Sequence, residues 1–197
     1  LASIAAVIAI ITAYLVLQPI RRAHQRNQKQ LRVLLEWLAT HALVAPAMVL
    51  SVGLFILLLP KMDLDRWGII FVALLNIAIL IPFAVQQLKP RLLQFDQQYG
   101  RLCSSLKLHG IERLAVEWPF LRPVFLSSLA LIMILAIGDV AIFSIFGNQD
   151  WMTLPWLIYS YAGTYRIGEA SLASLILLIL CGLILWAFER LRPHAED

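Results

Sequence analysis

Charge is what this sequence has least of. Only 14% of its 197 residues are Asp, Glu, Lys or Arg, against about a quarter in a soluble domain, while 61% are hydrophobic. With a mean hydropathy of +0.81, that deficit excludes an ordinary soluble domain. Cysteine is nearly absent as well: Cys103 and Cys181 are the only two, and neither has a second Cys or a His at ligand spacing. A disulfide framework, a metal site and redox chemistry are therefore not expected. A basic face with interleaved aromatics is also missing, despite a net charge of +4, so nucleic acid is excluded as a partner.

Catalytic signatures are equally scarce. The chain has no Gly-x-x-x-x-Gly-Lys-Ser/Thr phosphate loop, no His-Glu-x-x-His and no Gly-x-Ser-x-Gly nucleophile turn. Its four histidines, His24, His41, His109 and His194, are scattered, and His41 reads as an interfacial or satisfied polar residue before it reads as a ligand or proton relay. Neither hydrolysis nor group transfer is expected of this chain, and no cofactor is expected to bind it. Energy for any uphill process would have to come from a partner or an ion gradient.

What the sequence does have is long uncharged runs, over residues 1–17, 37–59, 67–88, 123–147 (broken only by Asp139) and 170–188. All but the first reach the roughly 20 residues that cross a hydrocarbon core of about 30 Å. The expected fold is an all-α polytopic helical bundle of about five transmembrane helices in a lipid bilayer, one domain over 1–197. The first run begins without an initiator Met or a basic flank, so it reads as a transmembrane helix whose beginning is missing.

The cations set an orientation. Thirteen Lys and Arg fall in the connections at 18–36 and 89–122 and in the tail, against three (Lys61, Arg66 and Arg166) in the opposite connections. Cytoplasmic loops retain basic residues, which puts the N-terminus outside and the C-terminus in the cytoplasm. Residues 89–122 form the main cytoplasmic excursion and 148–168 an outside loop. Over 31–42, Leu31, Leu34, Leu35, Leu38 and Ala42 recur at helical spacing. That segment is either an interfacial helix or an extension of the second span. Pro46 and Pro82 fall inside spans, where a proline can kink a helix if neighbouring helices resatisfy the freed carbonyls.

Few polar groups lie at membrane depth. Asp139, next to Gly138, is a candidate for a translocation pathway, because a buried carboxylate is costly; the alternative is a hydrogen bond to Asn76 or to a neighbouring hydroxyl. Asn76 is interhelical glue or pathway lining. Ala170, Ser171, Ala173 and Ser174 form a small-residue face suited to close helix packing. In the cytoplasmic excursion, apolar spacing from Leu102 to Leu108, a break at Gly110 and a second amphipathic stretch to Trp118-Pro119 predict a short helix, a turn and a second helix. Such an element fits either a groove on a cytoplasmic partner or its own bundle.

At this point the residues resemble a family. The excursion is similar to the cytoplasmic coupling motif of binding-protein-dependent ABC importer permeases, Glu-Ala-Ala, three residues, Gly and a later Ile-x-Leu-Pro. Tyr99-x-Arg101-Leu-Cys-Ser-Ser-Leu, Val116-Glu-Trp, Leu135-Ala-Ile-Gly-Asp-Val-Ala, Phe146-Gly-Asn148, Thr153-Leu-Pro155 and Gly163-Thr-Tyr-Arg166 are similar to the C-terminal half of the thiamine/thiamine pyrophosphate importer permeases. The Glu-Ala-Ala positions hold Arg101, Leu102 and Cys103 here, and the motif's Gly falls at about Lys107.

The resemblance implies a type I permease bundle in a bacterial inner membrane, with an ATPase-coupling helix made of Arg101, Leu102, Cys103, Ser104, Ser105, Leu106, Lys107, Leu108, His109 and Gly110. It implies a cytoplasmic ABC ATPase dimer carrying ATP and Mg, a periplasmic thiamine-binding protein delivering to the aromatic loop 148–166, and a second permease half or copy. That aromatic loop reads equally as an interfacial belt. Thiamine or its phosphates would be the cargo. A permease for ferric iron or an oxyanion, and a non-transporting membrane scaffold, are the alternatives.

Overall fold

The computed structural model describes residues 1–25, 28–40, 47–58, 60, 64–108, 110–146 and 152–191. They form helices α1 (Ala2–Gln25), α2 (Lys29–Thr40), α3 (Ala47–Leu58), α4 (Leu64–Ser105), α5 (Ile111–Ile137), α6 (Ala141–Phe146), α7 (Leu154–Gly163) and α8 (Ile167–Arg190). Among the described residues there is no strand, and the expected polytopic helical membrane bundle is what the chain builds.

α4 is the spine. Its 42 residues are about 63 Å long, twice the depth of a hydrocarbon core, so only the uncharged stretch up to Leu88 fits within one. Small residues let α1 lie close against it: Ala6, Ala9, Ile10, Ala13, Leu17 and Ile20 make one buried face with Leu80, Ala84, Val85, Leu88 and Leu92 of α4. Leu121, Ile132 and Ala136 of α5 complete this core. Toward its other end α4 packs Val72 and Leu75 on Ile142 and Phe146 of α6, with Leu50, Leu54 and Phe55 of α3 around them. Pro82 and Pro90 are both absorbed within α4 without ending it.

One expected span is corrected, and another lies partly outside the described residues. The run 123–147 is interrupted at 138–140, between α5 and α6. Within 37–59 the described residues belong to α2 up to Thr40 and to α3 from Ala47, while 41–46, with His41 and Pro46, lie outside the described residues. Among the described residues four helices are long and apolar enough to span a bilayer, and α3 is a shorter apolar one.

α2 is tied to α4 by charge. Its Glu36 accepts from Arg32 at 2.8 Å and from Lys89 of α4 at 2.9 Å. Burial alone would push the Glu36 carboxyl up, but these two cations outweigh it and hold it below the ordinary carboxylate value. The opposite face, with Val33, Leu34 and Trp37, is exposed. An apolar face turned outward and a charged one turned inward suit a helix lying against lipid.

Within 148–168, expected as an outside loop, the described residues form α7 and the start of α8. Trp156 packs edge-on against Phe143, and Arg166 stacks over Tyr161 at 4.7 Å. On α8, Ala170 and Ala173 of the expected small-residue face are buried, whereas Ser171 and Ser174 are exposed and return their hydroxyl protons to the carbonyls of Ile167 and Ala170.

α4 and α7 end in the same way. Leu108 N–H donates to the Cys103 carbonyl at 3.0 Å and Lys107 N–H to Ser104 at 3.2 Å; Arg166 N–H donates to Tyr161 at 2.9 Å and Tyr165 N–H to Ala162 at 3.2 Å. These are Schellman closures, whose left-handed residue is normally glycine. Here Lys107 (φ 54°) and Tyr165 (φ 58°) occupy it. Lys107→Gly and Tyr165→Gly are each expected to stabilise the protein by about 1 kcal/mol, read as a higher thermal midpoint in detergent. Ser104→Gly, inside the last turn of α4, is expected to lower it.

Candidate functional site

The described residues of the excursion 89–122 make a helical hairpin, with no separate short helix. Arg101–Ser105 form the final turn of α4, Leu106, Lys107 and Leu108 form the reversal, and Gly110 (φ 57°) precedes α5. His109 lies outside the described residues. Arg101, Leu102, Ser104, Ser105, Leu106 and Lys107 are exposed, whereas Cys103 is buried. Ser104 and Ser105 return their hydroxyl protons to the carbonyls of Arg101 and Leu102, at 2.8 and 2.9 Å. Leu102, Leu106 and Ile111 therefore stand as an apolar ridge, Ile111 at 84% exposure, flanked by the cations of Arg101 and Lys107. An apolar ridge at a polar hairpin tip is a surface that a partner's groove can cover.

The two stems are held behind this tip. Phe95, Tyr99 and Phe120 form an aromatic cluster with centroids 5.3–6.1 Å apart, and the Arg91 guanidinium lies 3.8 Å from the Phe120 ring centre. Below it sits a feature the sequence reading missed. Arg21 of α1 donates through Nε to Asp96 Oδ2 at 2.7 Å and through Nη2 to Asp96 Oδ1 at 2.5 Å. Its Nη2 and Nη1 also donate to Glu117 of α5, at 2.5 and 3.2 Å. Arg113 closes a ring, donating to Asp96 at 2.6 Å and to Glu117 at 2.9 Å, and Tyr14 Oη donates to Glu117 Oε2 at 2.9 Å.

Two cations and two carboxylates balance, which is the condition for burying them. The side chains of Arg21, Asp96 and Glu117 are 4, 7 and 1% exposed. Cavities of about 500 and 430 Å³ lie on either side of the ring, the first between Tyr14 and Arg22 of α1 and Leu108 and Ile111 at the tip, the second beside Cys103 and Ser104. In sequence, Arg21 counts only as one cytoplasmic cation among many. The one local signal is Arg113–Glu117 at helical i,i+4 spacing, while the pairs to Arg21 span 75 and 96 residues.

The membrane-depth candidates lie apart from this ring. Gly138 caps α5, and a Cβ there would meet the Ile134 carbonyl at 3.3 Å. Asp139 Oδ1 accepts the Ala141 N–H at 3.1 Å, so it opens α6, while its buried Oδ2 has no hydrogen-bond partner. Asn76 follows Leu75, which packs in the α6 cluster; no hydrogen bond joins Asn76 to Asp139 among the described residues. Within the described residues, no group of three or more His, Cys, Asp or Glu could hold a metal ion.

Removing one partner of a buried ion pair leaves the other charge stranded. Arg21→Met is therefore expected to cost about 3–5 kcal/mol, measured by thermal or denaturant unfolding in micelles. Arg113→Met, at a guanidinium 28% exposed, is expected to cost clearly less.

No family model matches the chain, and no solved structure matches it. Among curated proteins it is 31% identical, over 95% of its length, to the thiamine transport system permease protein ThiP of Escherichia coli. It is 35% identical to the Haemophilus influenzae protein of that name over 79% of its length, and 32% identical to that of Brucella abortus over 81%. The aligned part is 35, 29 and 30% of those relatives, so the chain spans about a third of their length. The resemblance read from the residues thus holds over nearly the whole chain, which is similar to the C-terminal half of the thiamine transport system permease proteins.

Proposed function

We propose that this chain is membrane-spanning permease machinery of an ATP-driven importer that carries thiamine or thiamine phosphates across a bacterial inner membrane. The single observation behind this reading is the similarity to thiamine transport permeases over 95% of the chain. The exposed tip supports the energy route: ATP and Mg bind a separate ABC ATPase dimer, whose groove covers Leu102, Leu106 and Ile111. A second permease half or copy completes the bundle, and a periplasmic thiamine-binding protein delivers cargo on the side of α7. The orientation is that of the cation count, with the tip and the C-terminus in the cytoplasm. Relatives named as thiamine transport permeases favour thiamine over ferric iron or an oxyanion, and a permease over a scaffold whose loop only recruits a partner.

A carboxylate at Leu106, which is 61% exposed, would have to enter an apolar groove without a partner. Leu106→Glu is expected to abolish ATPase co-purification and to cut thiamine uptake at least tenfold at unchanged membrane level; wild-type uptake in that variant would sink the docking role.

Asp139 is the proposed pathway acid, with Gly138 preceding it in the chain and Asn76 of α4 as the other polar candidate at membrane depth. Its unpartnered oxygen is an unbalanced acceptor in a low-dielectric bundle, suited to a cationic thiazolium. Asp139→Asn keeps an acceptor for the Ala141 N–H but loses the charge. Radiolabelled thiamine uptake is expected to fall about tenfold while the ATPase still co-purifies. Normal uptake would leave Asp139 with a capping role alone.

A further inference from the structure

Resting on the importer reading, we infer that Arg21 is a positioning residue, a strut that makes α1 move with the α4–α5 tip when a partner displaces that tip. α1 meets the hairpin in two different ways. Within the membrane the contact is a stripe of alanines and aliphatic side chains, which resists separation but gives no direction to sliding. Nearer the tip that packing gives way to the cavity of about 500 Å³ between α1 and the hairpin end.

What crosses from α1 to the hairpin there is polar. Among the described residues, the side-chain hydrogen bonds from α1 to α4 and α5 are those of Arg21 and Tyr14. Arg21 holds both stems at once, α4 through Asp96 and α5 through Glu117, each with two hydrogen bonds. Its anchor points lie close behind the tip: Asp96 is ten residues before Leu106, and Arg113, which joins the same two carboxylates, is three after Gly110. Charge-assisted forks are directional, and stretching them exposes buried charge, so a displaced stem carries Arg21, and with it α1. Tyr14, seven residues deeper in α1, extends the link to Glu117 toward the membrane.

A lysine at 21 keeps the charge but cannot fork to two carboxylates. The test uses the complete transporter, reconstituted in proteoliposomes with its ATPase and thiamine-binding protein, and reads thiamine taken up per ATP hydrolysed. With Arg21→Lys this ratio is expected to fall at least tenfold although the ATPase still assembles, and with Tyr14→Phe about threefold. A residue that only stabilises the fold would lower uptake and hydrolysis together and leave the ratio alone, so an unchanged ratio in both variants overturns the inference. If Arg21→Lys does not assemble, Tyr14→Phe decides, an unchanged ratio there overturning it. A wild-type complex without ATP-driven uptake rejects the importer reading, and the strut with it.

Discussion

The structure depends on one electrostatic condition: a guanidinium carried by α1 lies out of water between the carboxylates of α4 and α5. Taking such groups out of water costs several kcal/mol per ion, and only a closed, hydrogen-bonded, neutral arrangement offsets it. The ring meets each requirement. Arg21 uses two forks, Asp96 and Glu117 each accept from two arginines, and Tyr14 fills a further acceptor site on Glu117. Once formed, it fixes the rotation and height of three helices relative to one another. The alanine stripe of α1 could not do so alone, because apolar faces of similar size slide at little cost.

That fixed junction explains how one helix serves two environments. α4 is far longer than a hydrocarbon core is thick, so its C-terminal third must stand in water, where a lone helix has little to hold it. The ring, the Phe95–Tyr99–Phe120 cluster and Arg91 over Phe120 tie that third to α5 and to the end of α1. A stiff stem then presents Leu106 and its neighbours at a set distance from the membrane. On α2 the same economy appears in another form, with Glu36 turned in toward Lys89 and the aliphatic residues left outside.

How much of this was legible in the sequence follows from what each feature depends on. The long helices were legible, because a bilayer demands unbroken apolar length and the chain has no other use for it. The tip was found from Gly110 and the apolar spacing around Leu106, although its short helix proved to be the last turn of α4. Arg21, Asp96 and Glu117 were missed because their partners are 75 and 96 residues away, and pattern reading is local. Asp139 was noticed because it is alone; the ring was overlooked because its charges sit among other charges.

The carboxylates of the ring and the half-buried Asp139 are satisfied in opposite ways, and the difference bears on how the bundle can work. At the ring every carboxylate is paired, so rearrangement there breaks several charge-assisted bonds at once, and that end moves as a unit or not at all. At Asp139 one oxygen caps α6 and the other is left over, beside a break in the helix and a glycine. An under-satisfied group next to interrupted backbone has more to gain than to lose from a new partner. The bundle thus holds its charges paired behind the tip and leaves one carboxylate oxygen over beside a helix break.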